Sequence, residues 1–426
     1  MNTYLTIFKL LIDNNGPYAR LKRDPTETIK RDARNILIRL NKDDIIDDRL
    51  YYKLRPSDTS PPRFYGLPKI HKPGIPIRPI VSCTGSPLHN LSKYLASILS
   101  NYTKGDHCKN SKEFSKFIRN IRIEDDECMV SFDVTSLYTN VPIKDTLYII
   151  MELLLNDDEY ENKTCIPIDK LMSLVQIVLT KTWYLFDGNF FTQTDGVAMG
   201  GPTSSVVAEI YMQAHETTAL TTADHAAKVW KRFVDDVFLI TKRAYLDAFY
   251  KHINNLHPKI QFTIEHEKNG TPPFLDTLVS RNGGDLSVSV YRKPTHTDKY
   301  LNYTSNHQMS CKESVVFSLL DRAVNVVKGE NDRKIELSPI NNALLANGYS
   351  RQTIKKVERK IGNRTDKSSD GEDAENEPVA SVCMPYIPGT SNILRRVLKD
   401  HRIKPVFQFK NTLRSILSHP KDKSRE

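Results

Sequence analysis

Three aspartates stand where they could hold metal ions for phosphoryl transfer. In CMVSFDVTSLYTNVPI, residues 128–143, Met129, Ser131 and Asp133 alternate with Val130 and Phe132. A period of two predicts a strand with one apolar face toward a core and Asp133 on the other, near the strand end. In VWKRFVDDVFLIT, residues 229–241, two apolar half-strands flank Asp235 and Asp236, which predicts a hairpin with adjacent acids at its tip. Grouping carboxylates at strand ends is costly unless a positive charge neutralises them. Hard oxygen donors call for Mg²⁺, which usually takes one or two carboxylates plus substrate phosphates. Two such ions about 4 Å apart would stabilise the attacking and leaving oxygens of an in-line displacement. Taken alone, an Asp-Asp turn reads as a solvated hairpin, so the chemistry depends on its surroundings.

Between these carboxylates lies TDGVAMGGPTSSVVAEIYMQAHETTAL, residues 194–220. Gly196, Gly200 and Gly201 leave a loop backbone free to approach a ligand, and Pro202 suits the first turn of a helix. Val206, Val207, Ile210 and Tyr211 fit one buried face of that helix. A glycine-rich loop is often only a turn, but between two carboxylate segments it gains a role in seating a nucleotide and its template base. Upstream, RFYGLPKIHKPGIPIRPIVSC (63–83) sets Lys69, Lys72 and Arg78 on short extended segments joined by a Pro-Gly turn. Such cations suit a triphosphate, Arg bidentately. In isolation the same residues make a basic surface hairpin.

Elements must be found to carry these groups. The chain has 426 residues, 39% hydrophobic, with 61 Lys+Arg against 51 Asp+Glu and a net charge of +10. That excludes a wholly disordered chain. No apolar run reaches the roughly 18–20 residues of a membrane span, the nearest, Leu147–Leu155, being interrupted by Glu152. The first residues lack a basic region and a cleavage site, so no secretion is expected. Six scattered cysteines without a CxxC pair argue against a disulfide scaffold or a Cys-based zinc site. Residues 61–123 set eleven Lys or Arg against Asp106 and Glu113, and residues 392–426 set ten against three acids. Two basic blocks around a near-neutral centre suit a polyanion, and they equally suit solvated helix faces.

Ile29, Ala33, Ile36, Leu37 and Leu40 recur at helical spacing, so residues 1–58 read as a helical N-terminal extension. Residues 59–295 follow, Pro/Gly-rich at first and then alternating strand-like and helix-like segments, which predicts an α+β body. Residues 296–365 form a further part. Residues 366–380, rich in acids without apolar anchors, read as a disordered linker or loop, and 381–426 as a basic C-terminal segment.

The order basic hairpin, SFDVTSLY, AMGGP loop, FVDD resembles the palm of reverse transcriptases, and in detail the Penelope-like retroelement family. The strings are YGLPKIHKPGIPIRPIVS, SFDVTSLYTNVPI, DGVAMGGPTSSVVAEIYM, RFVDDVFLI, FTIEHEKNGTPPFLDTLV and VYRKPTHTDKYLNY. The resemblance implies an α+β right-hand polymerase fold, with fingers and palm (antiparallel sheet plus helices) over 59–295 and a mostly helical thumb over 296–365. It implies Asp133, Asp235 and Asp236 as the catalytic and metal-binding set, with the Val134 carbonyl as a further metal ligand. Arg78 and either Lys69 or Lys72 match the residues that contact the incoming triphosphate. Tyr138 matches an aromatic beneath the sugar, Met199 and Gly200 the loop beside the templating base, and Phe274 and Leu275 the primer-grip hairpin. His266 and Lys268 are weaker candidates for a proton donor to pyrophosphate, solvent exposure being the simpler account of both. The Gly201–Ser205 stretch, Phe233 and Gln308 depart from the family pattern without removing a metal ligand.

What the resemblance implies is an RNA-directed DNA polymerase using two Mg²⁺ ions, or Mn²⁺ in their place, with an RNA template, a DNA or RNA primer and dNTPs as partners. No membrane partner is expected, and the location is nuclear because such elements insert into chromosomes, otherwise cytoplasmic. The GIY…YIG pair of the endonuclease that commonly follows in the family does not occur, so nicking activity is not expected of these residues. Two alternatives remain at this point. One is an RNA-directed RNA polymerase, against which Tyr138 argues, and the other a catalytically inactive nucleic-acid-binding remnant of an element.

Overall fold

The stripe Ile29, Ala33, Leu37 and Leu40 is buried along one face of a 17-residue helix, Thr26–Lys42. Its start is tied down where Trp183 Nε1 donates to Thr26 Oγ1 at 3.1 Å. The computed structural model describes residues 17–57, 59–69, 75–103, 107–365, 379–387 and 389–408. These divide into two compact units. The first takes the residues up to Cys108 and Glu124–Lys268; the second takes Lys109–Ile123 and the residues from Asn269 on.

The first unit holds two sheets. One joins β1 (Tyr18–Arg20), β2 (Arg63–Pro68), β3 (Ile77–Ser82), β5 (Trp183–Phe186) and β6 (Asn189–Gln193) in the order β1-β6-β5-β2-β3. The segment read as a helical extension thus also supplies an edge strand, β1. Aromatic residues cover one face of this sheet: Tyr18, Phe64, Tyr184, Phe186 and Phe191 are buried together, with Tyr184 and Phe191 stacked at 5.8 Å. The Pro/Gly-rich segment forms the antiparallel β2–β3 hairpin, in which Arg78 faces Leu67.

The second sheet contains β4 (Glu127–Val134), β7 (Val229–Phe233), β8 (Asp236–Lys242) and β9 (Phe262–His266), ordered β7-β8-β4-β9. All its pairs are antiparallel. On β4, Val130, Phe132 and Val134 are buried whereas Asp133 is exposed, the alternation expected of a strand with one face on a core. Beneath lies the largest apolar cluster of the unit, in which Val237 and Leu239 of β8 meet Val207, Ile210 and Tyr211 of the helix Ser204–Thr222. Burying a Leu, Ile or Phe side chain contributes about 1.5–3 kcal/mol, so this helix is anchored along its length. His215 of the helix lies between Tyr211 and Phe262, ring-stacked on both. Burial first, and the neighbouring His257 second, push its pKa down to about 4.

The second unit contains a three-stranded antiparallel sheet of β10 (Pro273–Phe274), β11 (Thr277–Asn282) and β12 (Asp285–Val290). Its helices Met309–Val326, Glu330–Ala346 and Arg351–Thr365 bury Val316, Leu320, Ile340, Leu344, Val357 and Ile361 against one another. Farther along, β13 (Ala380–Pro385) pairs in parallel with β14 (Ile403–Gln408), joined through the helix Thr390–Asp400. Most of the acidic segment, residues 366–378, and the end of the basic segment, residues 409–426, lie outside the described residues.

Candidate active site

The site is built at the open end of β4. In the register of β4 with β8, Asp133 is directly opposite Asp236, and the pairing continues beyond it where the Val134 N–H donates to the Asp235 carbonyl at 2.9 Å. Residues directly opposite in an antiparallel pair have Cβ atoms about 4.5–5.5 Å apart and share a face. Asp133 and Asp236 therefore present two exposed carboxylates side by side. On its other flank Asp133 faces Thr263 of β9, whose hydroxyl donates to the Asp133 carbonyl at 3.3 Å. Asp235 is half-buried in the turn between β7 and β8, next to Val234, whose φ is +58°. A β-branched residue in the left-handed region is a genuine outlier, and the turn needs something to hold it.

Among the described residues no three His, Cys, Asp or Glu side chains converge as an all-protein metal cage. Mg²⁺ rarely has one; it binds through one or two carboxylates and completes its shell with water and substrate phosphate. Like charges facing each other across a sheet are destabilising, so the Asp133–Asp236 pair has the chemistry of such a partial donor set. Val134 follows with its side chain buried beneath the pair and its backbone at the strand end.

After β4 the chain turns sharply. Ser136 has φ +49° and opens a four-residue helix, Leu137–Asn140. Tyr138 in that turn is half-buried against the main core. Its hydroxyl pKa is raised, first by burial and then by the negative charges of Asp235 and Glu209. The glycine loop docks on this turn: the Val197 N–H donates to the Tyr138 carbonyl at 2.7 Å. A Cβ at Gly196 would stand 2.4 Å from the Thr139 carbonyl oxygen. At its other end the loop docks on β3, where the Val81 N–H donates to the Met199 carbonyl at 2.8 Å. There Gly200 has φ +117°, and an added Cβ would meet the Val81 carbonyl oxygen at 2.5 Å. The loop thus links the Tyr138 turn to the strand that carries Arg78.

Arg78 is exposed on β3, and Lys69 is half-buried at the hairpin end, its N–H donating to the Pro76 carbonyl at 2.9 Å. Lys72 lies outside the described residues. Phe274 and Leu275 belong to the second unit. Phe274 is buried, with its ring 4.6 Å from that of Phe114, while Leu275 occupies the following turn with φ +56°. The Phe274 ring packs in the core of the second unit, and Leu275 in the turn after it is half-buried.

Sequence reasoning passed over Arg232. It is 1% exposed, three residues before Asp235. Its guanidinium donates to both carboxylate oxygens of Glu209, each at 2.7 Å, and through Nε to Glu216 at 2.6 Å. Burial opposes the charges, but the bonds prevail, raising the Arg232 pKa and lowering that of Glu209. A signal was present: Glu209 and Glu216 are seven residues apart, on one side of a helix whose apolar face packs in the core, and acids drawn toward a core call for a basic partner.

Residues 70–271 match the family model described as reverse transcriptase (RNA-dependent DNA polymerase), and residues 299–357 match one described as an animal helix-turn-helix domain. The first span contains Arg78, Asp133, Tyr138, Met199, Gly200, Asp235 and Asp236; the second falls on the helices of the second unit. No curated protein matches the chain. Among solved structures, a telomerase from Candida albicans, in complex with a TWJ fragment of telomeric RNA, superposes with a TM-score of 0.55 at 12% identity, covering 85% of this chain and 62% of that one. The Sicinivirus 3Dpol RNA-dependent RNA polymerase gives a TM-score of 0.48 at 12% identity, covering 84% and 89%. The apo telomerase of Candida tropicalis gives 0.46 at 12%, covering 72% and 58%. At such identities the likeness is one of fold, and this chain spans 62% of the length of the Candida albicans telomerase chain. No helix among the described residues is long and apolar enough to cross a membrane. The superposition on the Candida albicans telomerase gives the chain the right-hand polymerase fold, and within it residues 70–271 are similar to reverse transcriptase domains.

Proposed function

We propose that this protein is the RNA-directed DNA polymerase of a Penelope-like retroelement, adding deoxynucleotides to a primer 3′-hydroxyl on an RNA template. The observation that carries the reading is the register of β4 against β8, which sets Asp133 beside Asp236 and bonds Val134 to Asp235. Asp133, Asp235 and Asp236 would hold Mg²⁺ or Mn²⁺, with the Val134 carbonyl as a further donor. When bound, two such ions supply charge stabilisation to the attacking and leaving oxygens. The chain's own part is placement. Arg78, with Lys69 or Lys72, draws in the triphosphate. The Tyr138 ring bounds the sugar from below, and Met199 and Gly200 bound the base pair. The basic segments hold the RNA template and the DNA or RNA primer through their phosphates, so binding weakens steeply with salt. Work on chromosomal ends or breaks would put the protein in the nucleus.

The direct test is extension of oligo(dT) on poly(rA) with dNTPs and Mg²⁺ or Mn²⁺. Salt-sensitive, metal-dependent extension is expected. Extension only with ribonucleotides would make it an RNA polymerase, and binding without extension would make it an inactive remnant. Tyr138 separates the first two readings further. If its ring fills the space of a 2′-hydroxyl, Tyr138→Ala raises rNTP incorporation relative to dNTP at least tenfold, or about 1.4 kcal/mol of discrimination. A ring that serves only the core costs about 3–5 kcal/mol of stability when removed, on the analogy of Phe→Ala, and depresses both substrates together. Single-nucleotide kinetics with matched rNTP and dNTP, beside a thermal melt, tell these apart.

A further inference from the structure

Arg232 makes four hydrogen bonds from a position closed to solvent. Besides the paired bonds to Glu209 and the Nε bond to Glu216, its Nη1 donates to the carbonyl of Val234 at 3.1 Å. Its acceptors are themselves fixed. Gln213 donates to Glu209 at 3.0 Å, and Trp230 Nε1 to Glu216 at 2.7 Å. The Arg232 carbonyl accepts from the Cys108 N–H at 2.7 Å. One guanidinium thus ties together the helix Ser204–Thr222, strand β7 and the turn that carries Asp235.

Val234 is the sensitive point. A strained left-handed valine persists only where its surroundings over-determine it, and the Arg232 bond grips the carbonyl of that residue directly. The helix holding Glu209 and Glu216 is also the one that the glycine loop enters, at Ser204. We infer that Arg232 is a positioning residue, fixing the Val234–Asp235 turn against the helix that carries the nucleotide-seating loop. Stability alone accounts poorly for a buried guanidinium held by two half-buried carboxylates, because well-packed apolar replacements of buried ion networks are often as stable or more so. A fork of five donors in a plane is what reaches two carboxylates and a carbonyl at once, and lysine has no such fork.

The inference rests on the polymerase reading, and the experiment separates the two. Wild type, Arg232→Lys and the charge-free triple variant R232M/E209Q/E216Q are compared for melting, template–primer Kd, single-nucleotide addition, and Mn²⁺ affinity from the magnetic resonance signal of free Mn²⁺. The triple variant removes the three charges of the network together, and the amide oxygen that E216Q introduces can still accept from Trp230. Both variants are expected to melt cooperatively and to bind template–primer as wild type does. Both are expected to add nucleotide more slowly, the triple variant by about 100-fold, the size of effect a misplaced reacting group produces. Weaker Mn²⁺ binding should accompany the loss, a change that a purely structural role would not bring. A folded Arg232→Lys or triple variant with wild-type rate and Mn²⁺ affinity overturns the inference. Wild type that fails to extend in the same assay overturns the polymerase reading instead.

Discussion

Asp133→Asn and Asp235→Asn each lower primer extension by roughly 10³-fold or more, equivalent to about 4 kcal/mol of transition-state stabilisation. The substitution swaps one oxygen for an amide nitrogen, so shape is nearly kept while a full negative charge is lost from the place where cations would bind. Folding should survive. Asp133 is on the exposed face of β4, opposite another acid, and removing one of two facing like charges relieves repulsion. Template–primer affinity should change little, because the proposed reading assigns it to basic residues elsewhere. A triple measurement, of extension rate, filter-binding Kd and melting temperature, therefore expects one quantity to collapse and two to hold. Asp236→Asn extends the series. Asp236 faces Asp133 directly, whereas Asp235 sits in the turn and meets Val134 through its backbone, so the pair ranks cross-strand proximity against turn placement. Near-normal extension by Asp133→Asn removes this site from the mechanism.

The parts of the site that could be read from sequence are those written in local periodicity. The alternation around Asp133 gave its strand and its exposed face, and the apolar halves around Asp235–Asp236 gave the hairpin. Ile29 to Leu40 gave the first described helix, and Val207, Ile210 and Tyr211 gave the buried face of the helix Ser204–Thr222. What could not be read is pairing at a distance. Nothing local says that β8 would place Asp236 opposite Asp133, or that Val81 would bond Met199. Arg232 was hidden for the same reason: a lone arginine in VWKRFV looks like surface charge until Glu209 and Glu216 are seen to face it. Phe274 shows the converse. The string PPFLDTLV singles out Phe274 and Leu275 together, yet strand alternation turns the phenylalanine into the core against Phe114, while Leu275 stays half-buried in the turn.

Gly200→Ala is expected to lower extension by about 100-fold, and Gly196→Ala by a similar factor, through misplacement of the loop between them. Both glycines have positive φ, but that is the smaller part of the argument. A left-handed conformation costs an alanine only about 1–2 kcal/mol, and a surface turn can absorb it. The larger part is contact: the new Cβ would lie 2.5 Å from the Val81 carbonyl oxygen at Gly200 and 2.4 Å from the Thr139 carbonyl oxygen at Gly196. Neither obstacle is a side chain that can rotate away, so the backbone must move. At Gly200 the movement would pull Met199 off its bond to Val81, and at Gly196 it would lift Val197 from Tyr138. Gly188 supplies the control, with φ +71° and nothing within 4 Å of its added Cβ. Gly188→Ala should therefore show only the conformational cost, about 1–2 kcal/mol in a melt, with extension close to wild type. The comparison reads dNTP KM and single-turnover rate for all three variants. If Gly200→Ala extends as well as Gly188→Ala, the close approach of loop to β3 has no part in seating the nucleotide. If it loses activity while keeping cooperative melting, the loop is held where it is for function rather than for the fold.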